Sequence, residues 1–150
     1  MHYLCFKIDK NRFAIPSDKI DRVFPLLVLN EIAQSPSYVA GYFYYQEQFI
    51  LTIDVLQLVI NKQSSNLMST RIVVVEFKTD NNKSYKIALL VEEAQETLEI
   101  ADHEWRINPL LPKYGNVGGK IANINNTSIQ QVVLNELLSE EVLALIHEHK

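Results

Sequence analysis

One cysteine in 150 residues, Cys5, leaves no internal disulfide to form. Its place in an alternating apolar stretch reads as a small buried hydrophobe rather than a nucleophile. Surplus positive charge is missing as well. Lys and Arg number 14 against 18 Asp and Glu, for a net charge of −4, and the pI is near 5.5. Nucleic-acid affinity rests on cations that displace counterions, and the lysines here are scattered, so the composition argues against that class of partner. No stretch is long and apolar enough to cross a bilayer, and MHYLCFKIDK lacks the apolar centre of a secretory signal. A cytoplasmic protein without direct membrane insertion is expected. What is present is an ordinary globular composition, 47% apolar, at a length that suits one domain or two small lobes sharing a core.

Most of the chain reads as short strands broken by polar turns. Residues 2–8 put His2, Leu4, Phe6 and Ile8 on one face, Asp9-Lys10-Asn11 supplies a turn, and Phe13-Ala14-Ile15 returns until Pro16 ends the strand. Ile20 to Val23 resumes an extended segment. Residues 38–45 and 48–53 form a second hairpin, after which Asp54 caps a short helix, Val55 to Ile60. The polar stretch 61–69 is the best candidate for a connection between halves. Arg71 to Phe77 is β-branched throughout its middle and suits a strand buried on both faces. Residues 79–83 turn, Tyr85 to Val91 returns, and 96–100 is a further strand. Residues 108–119 form an irregular loop, and 121–124 with 129–134 flank an Asn-rich turn. Ser139 is placed to cap a C-terminal helix, with Glu140 and Glu141 in its first turn and Val142, Leu143, Leu145 and Ile146 on its apolar face. Many short strands with few helices predict a mostly β fold, best fitted by two small barrels.

A search for chemistry finds little. His2, His103, His147 and His149 lie at the two ends and in one loop, and the last two are not at the i, i+4 spacing of a helical zinc site. Gly115 to Gly119 lacks the Lys-Ser/Thr ending of a phosphate loop. Glu92, Glu93 and Glu96 read as solvated edge charges, since adjacent strand carboxylates point to opposite faces. No Ser or Cys sits in an activated-nucleophile motif. The expectation is a binding module with no catalytic residue, no metal and no cofactor.

The segment Gly41 to Val55, GYFYYQEQFILTIDV, raises a question: it places four aromatics beside a tip, Gln46-Glu47, that carries neither glycine nor asparagine. Alternation puts Tyr42 and Tyr44 on one side and Phe43 and Tyr45 on the other. Either one pair is core and the other stands near the surface as contact area for a partner, or a small barrel buries both pairs.

Several spaced elements together resemble the CheW-like domain from about Leu4 to Leu138. They are Phe6 with Phe13-Ala14-Ile15-Pro16; Ile20 to Val23; Pro36 with Val39 and Gly41; Ile53-Asp54; Arg71 to Val75; Ala88 to Glu92; Ile121-Ala122; and Leu134-Asn135 with Leu137-Leu138. Phe24 to Leu27, Val39 to Phe43 and Ser69 to Ile72 are closer to the Wsp-type, surface-sensing members. The resemblance implies two SH3-like five-stranded β-barrel lobes around a shared core, spanning about 14–68 and 69–138, with the N-terminal strand shared and a C-terminal helix over 139–149. It implies an adaptor at membrane-associated receptor arrays, coupling the cytoplasmic tip of a chemoreceptor to the regulatory domain of a CheA-type histidine kinase.

The family's partner-binding positions fall on Ile20, Arg22, Val23, Gly41, Gln46 and Glu47, and the aromatic residues beside them add Tyr44 and Tyr45. Three departures stand out. Gln46-Glu47 replaces an Arg-Gly pair, Leu51 replaces a proline, and Arg22 stands where an acid is expected. Glycine takes positive φ freely and glutamate does not, so either Glu47 is strained or the turn changes type. These substitutions leave a second reading open, a divergent scaffold that binds a different partner outside the kinase array. A small enzyme or ligand-binding barrel is a third, and nothing in the sequence favours it.

Overall fold

The computed structural model describes residues 1–64, 69–78, 83–107, 118–138 and 142–145. β1 (His2–Ile8) and β2 (Asn11–Pro16) pair antiparallel around a turn in which Asp9 takes a left-handed φ of 56°. A single 3-10 turn, Ser17–Lys19, leads into β3 (Ile20–Pro25). β4 (Val39–Tyr45) and β5 (Gln48–Asp54) make the aromatic hairpin, and α1 (Val55–Ile60) follows directly. Asp54 caps that helix as its position suggests, accepting from the Gln57 N–H at 3.3 Å. The same buried carboxylate accepts from the Ser64 N–H at 2.9 Å and from the Ser64 hydroxyl, so it also pins the start of the polar connection.

β6 (Arg71–Lys78) and β7 (Ser84–Glu99) follow, then a 3-10 turn, β8 (Trp105–Ile107), β9 (Gly118–Ile124), β10 (Thr127–Val132) and the short α2 (Leu134–Leu137). Two differences from the sequence reading stand out. The return strand and the separate strand at 96–100 are one element, β7, 16 residues long. Its register on β1 shifts between Cys5 and Lys7, and Glu93 there adopts φ 50°, a local bend that lets one strand serve two sheets. The strand read as 129–134 stops at Val132, because Leu134, Leu137 and Leu138 are buried at helical spacing. The turn at 79–82, the loop at 108–117 and the helix start at Ser139 lie outside the described residues; residues 142–145 are helical, with Val142 buried and Leu143 and Leu145 packed on the core.

The strands sort into two sheets, neither closed by a complete ladder among the described residues. In the first, β3 pairs β6, β6 pairs β7, β7 pairs β5 in parallel, and β5 pairs β4. In the second, the far half of β7 pairs β1, followed by β2, β10, β9 and β8. Strand pairing therefore crosses the division at residue 68: β6 and the near half of β7 join β3, β4 and β5. The reason is burial, since Ile72, Val73, Val74 and Val75 are all fully buried and such a strand needs neighbours on both edges and both faces.

Alternation along these strands fills three apolar layers. Phe43, Ile50, Ile72, Val74, Ala88 and Leu90 fill the interior of the first lobe. Tyr3, Cys5, Ala14, Ile100, Trp105, Ala122 and Ile129 fill the second. The opposite faces of the same strands, with Leu4, Phe6, Ile8, Phe13, Ile15, Val73, Val75, Ile87 and Leu89, form a shared core between the lobes. Both faces of β1 are thus apolar, and His2 at its start is exposed.

Candidate partner-binding surface

β3 and β4 are the two end strands of the first sheet, and aromatic side chains meet across the seam between them. Phe24 of β3 meets Phe43 edge-on at 5.7 Å and Tyr45 at 5.3 Å. The Arg22 guanidinium lies over both the Tyr45 ring, at 5.7 Å, and the Phe24 ring, at 5.8 Å. Lys86 of β7 also approaches the Tyr45 ring, at 5.9 Å, and pairs with Asp21 at 3.6 Å. The rim of the first lobe therefore carries a tyrosine with two cations within cation–π distance, which the ring quadrupole attracts.

The other side of the hairpin is different. Tyr42 stacks on Phe49 at 4.7 Å, and Tyr44 meets both rings edge-on, at 5.9 Å and 6.3 Å. Phe43 is buried and Tyr44 is 67% exposed, so the first of the two arrangements open to the sequence is the one adopted. Tyr44 and Tyr45, both expected at the surface, face opposite sides of β4. Tyr45 is half-buried against Arg22 and Phe24, whereas Tyr44 stands on the Phe49 side.

At the tip Gln46 and Glu47 have φ of 52° and 63°. Two consecutive left-handed residues define a type I′ hairpin, the turn that matches strand twist and asks for Asn-Gly. Both tip residues thus occupy the left-handed region, and Glu47 bears strain there. Val23 is 41% exposed on β3, and Ile20 is half-buried against the shared core. Gly41 is buried: its φ is +143°, and an added Cβ would lie 2.4 Å from the Asn30 carbonyl oxygen. The contact arises because Asn30 and Tyr42 exchange two backbone hydrogen bonds of 2.9 Å, which lash the 26–30 segment to β4. Gly41 therefore shapes the surface from beneath and offers no side chain to a partner.

Sequence reasoning missed Phe24, Phe49 and Lys86. Phe49 was within reach, because a two-residue turn at 46–47 fixes Tyr44 opposite Phe49. Phe24 follows Arg22 by two positions and so shares its face. Lys86 arrives from a distant strand and carries no local signal. Among the described residues no three His, Cys, Asp or Glu side chains gather as a metal site, and no helix is long and apolar enough to cross a membrane.

The sequence matches the CheW-like domain over residues 2–141. The chain belongs to the CheW-like domain family. The CheW-like fold also appears in the structural comparison. The crystal structure of the scaffolding protein TtCheW from Thermoanaerobacter tengcongensis superposes with a TM-score of 0.79 at 15% identity, covering 94% of this chain and 89% of that one. No curated protein matches the sequence.

Proposed function

We propose that this CheW-like protein is a non-catalytic adaptor coupling the cytoplasmic tip of a chemoreceptor to the regulatory domain of a CheA-type histidine kinase, at receptor arrays in the cytoplasm. The family match across residues 2–141 is the observation that carries the reading. The exposed hairpin supports it, since tyrosine and arginine supply large contact area and are enriched where interfaces concentrate their energy. The contact residues are Ile20, Arg22, Val23, Tyr44, Tyr45, Gln46 and Glu47, with Gly41 setting the backbone beneath them. The mechanism is geometric: patches on the lobes hold partners in register, and displacement of one partner is passed to the other.

Titration calorimetry of the protein against the regulatory domain of the CheA-type kinase from the same organism tests this. Arg22→Ala and Tyr44→Ala are the informative variants, because both side chains are exposed and their removal leaves the core filled. Loss of a hot-spot contact weakens binding by about tenfold or more, equivalent to about 1.4 kcal/mol. Absence of saturable binding by the folded protein would sink the coupling reading.

One observation favours a second reading, a divergent scaffold with another partner. The exposed tip carries Glu47, a negative charge with no ion pair among the described residues. Gln46→Arg with Glu47→Gly separates the two: tighter kinase binding supports the coupler, and loss of the native interaction without kinase binding supports the divergent scaffold.

A further inference from the structure

The sequence holds four arginines, Arg12, Arg22, Arg71 and Arg106. Three of them are answered within the chain. Arg12 reaches the Glu96 carboxylate at 3.0 Å, Arg71 donates to the Thr70 carbonyl at 3.1 Å, and Arg106 donates to the His103 carbonyl at 2.8 Å. Arg22 is exposed and makes no ion pair or hydrogen bond among the described residues; its contacts are the faces of Tyr45 and Phe24. A ring face attracts the charge but offers no lone pair to the N–H groups. Five donors therefore stay open on a guanidinium whose position two rings already hold.

The neighbouring charges are spent on one another. β3 is bulged: its register on β6 passes from Ile20 to Arg22, which leaves Asp21 as the extra residue, and bulges re-aim side chains. Asp21 pairs with Lys86 at 3.6 Å, and Lys86 also stands opposite Glu76 in the β6–β7 register. Of the two cations at the Tyr45 ring, Lys86 is thus matched by acids of its own chain and Arg22 is not. Glu47, two residues beyond Tyr45, forms no ion pair among the described residues and leaves Arg22 unanswered.

We propose that Arg22 receives a carboxylate, the Asp or Glu side chain of a partner protein, and that this contact helps to set which partner the first lobe accepts. The paired N–H groups of a guanidinium match the two oxygens of a carboxylate, and a side chain already held in place loses less freedom on binding. One unanswered cation suits a monoanion, whereas a phosphate group carries nearly two charges and is met by clusters of arginine. Arg22 stands exposed on a strand and not in a cavity, so the acid arrives on a partner's surface and not as a small molecule. A partner with Lys or Arg at that point is disfavoured by like charge. The proposal deepens the coupling reading and rests on it for the partner's identity, the kinase regulatory domain or the receptor tip.

Two measurements test it. In the first, acetyl-Gly-Glu-Gly-amide, acetyl-Gly-Gln-Gly-amide and inorganic phosphate are titrated separately into the full ¹⁵N-labelled chain while the four arginine Nε–H signals are followed. The Glu peptide should shift Arg22 more than Arg12, Arg71 and Arg106, and the Gln peptide should not. Equal shifts at all four arginines, equal shifts from the two peptides, or a preference for phosphate would overturn the carboxylate site. In the second, Arg22→Gln is titrated calorimetrically against the kinase regulatory domain and against the receptor's cytoplasmic tip. It should weaken binding to one of them by about fivefold, the upper scale of an exposed ion pair, and the loss should shrink as salt is raised. Unchanged affinity for both would overturn the role in partner choice. If the wild-type chain binds neither partner while the Glu peptide still selects Arg22, the coupling reading fails and the carboxylate site stands.

Discussion

Replacing Glu47 with glycine should stabilise the protein, although it removes a whole side chain. Glu47 sits at φ 63° and Gln46 at φ 52°, where a Cβ crowds the following carbonyl at a cost of about 1–2 kcal/mol per residue. Glycine removes that cost but gives back about 0.5–1 kcal/mol because its unfolded chain is freer. The expected net gain for Glu47→Gly is therefore about 0.5–1 kcal/mol, a rise in melting temperature of roughly 1–4 °C for a domain of this size. The molecule contains its own control. The β9–β10 hairpin turns through Asn125 and Asn126 at φ 51° and 63°, nearly the same backbone, with the residue type that tolerates it. Asn126→Glu should cost about what Glu47→Gly gains. Urea melts with an unchanged m-value are the assay, since they isolate native-state stability from changes in the unfolded ensemble. If Glu47→Gly is neutral or destabilising while Asn126→Glu is costly, backbone strain at the tip is refuted as the consequence of the substitution.

Gly41→Ala should destabilise by about 2–4 kcal/mol, because the new methyl meets the Asn30 oxygen at 2.4 Å and the Leu29 Cβ at 2.9 Å with φ at +143°, and a chemical melt measures the loss. Thr52→Val should be neutral or stabilising by up to about 1 kcal/mol in the same assay, since the fully buried Thr52 hydroxyl has no hydrogen-bond partner among the described residues and valine keeps the shape. Burial, helped by the Glu96 carboxylate, pushes the Cys5 thiol from 9.0 up to about 11. A raised folded-state value means that the thiol's contribution is fully present below pH 9 and is lost as pH rises towards 11, so stability should fall across that window more steeply in the wild type than in Cys5→Ala. Calorimetry should give one transition for the whole chain, with calorimetric and van't Hoff enthalpies equal; two resolved transitions would show that the lobes melt separately.

How much of this was legible depended on how local each signal is. The hairpins at 2–16 and 39–54 and the helix at 55–60 are written in adjacent residues: alternation, a turn, and Asp54 before an apolar run. The double burial of 72–75 was legible in its β-branched run, but its pairing with β3 was not, because β3 lies far away in sequence and pairing is decided by the shared core. The continuity of β7 was hidden by Glu92-Glu93, a charged pair that reads as a break; in the fold Glu93 bends out and pairs with Lys7 at 3.3 Å. At the surface, the identities of Arg22, Tyr44 and Tyr45 were visible and their sides were not. A two-residue period assigns Tyr44 and Tyr45 to opposite faces, but only the position of Phe24 across the seam decides which face is the lobe's interior.

β7 explains why two small lobes can act as one body. Ala88 and Leu90 point into the first lobe, Ile87, Leu89 and Val91 into the shared core, and Leu98 packs on the second lobe's interior. A tilt of one lobe against the other would have to break the register of this strand or expose part of the shared core. The ion pairs could not resist such a tilt: Lys7–Glu93, Arg12–Glu96 and Lys86–Asp21 are partly exposed, and such pairs are worth at most about 1 kcal/mol each. The apolar layer between the lobes can, because each large aliphatic side chain withdrawn from it costs about 1.5–3 kcal/mol. Stiffness between the lobes is therefore a property of burial rather than of charge. In the coupling we propose, a displacement of the β4–β5 hairpin reaches β7 through the parallel β5–β7 pairing, and β7 runs on to pair with β1 of the second sheet.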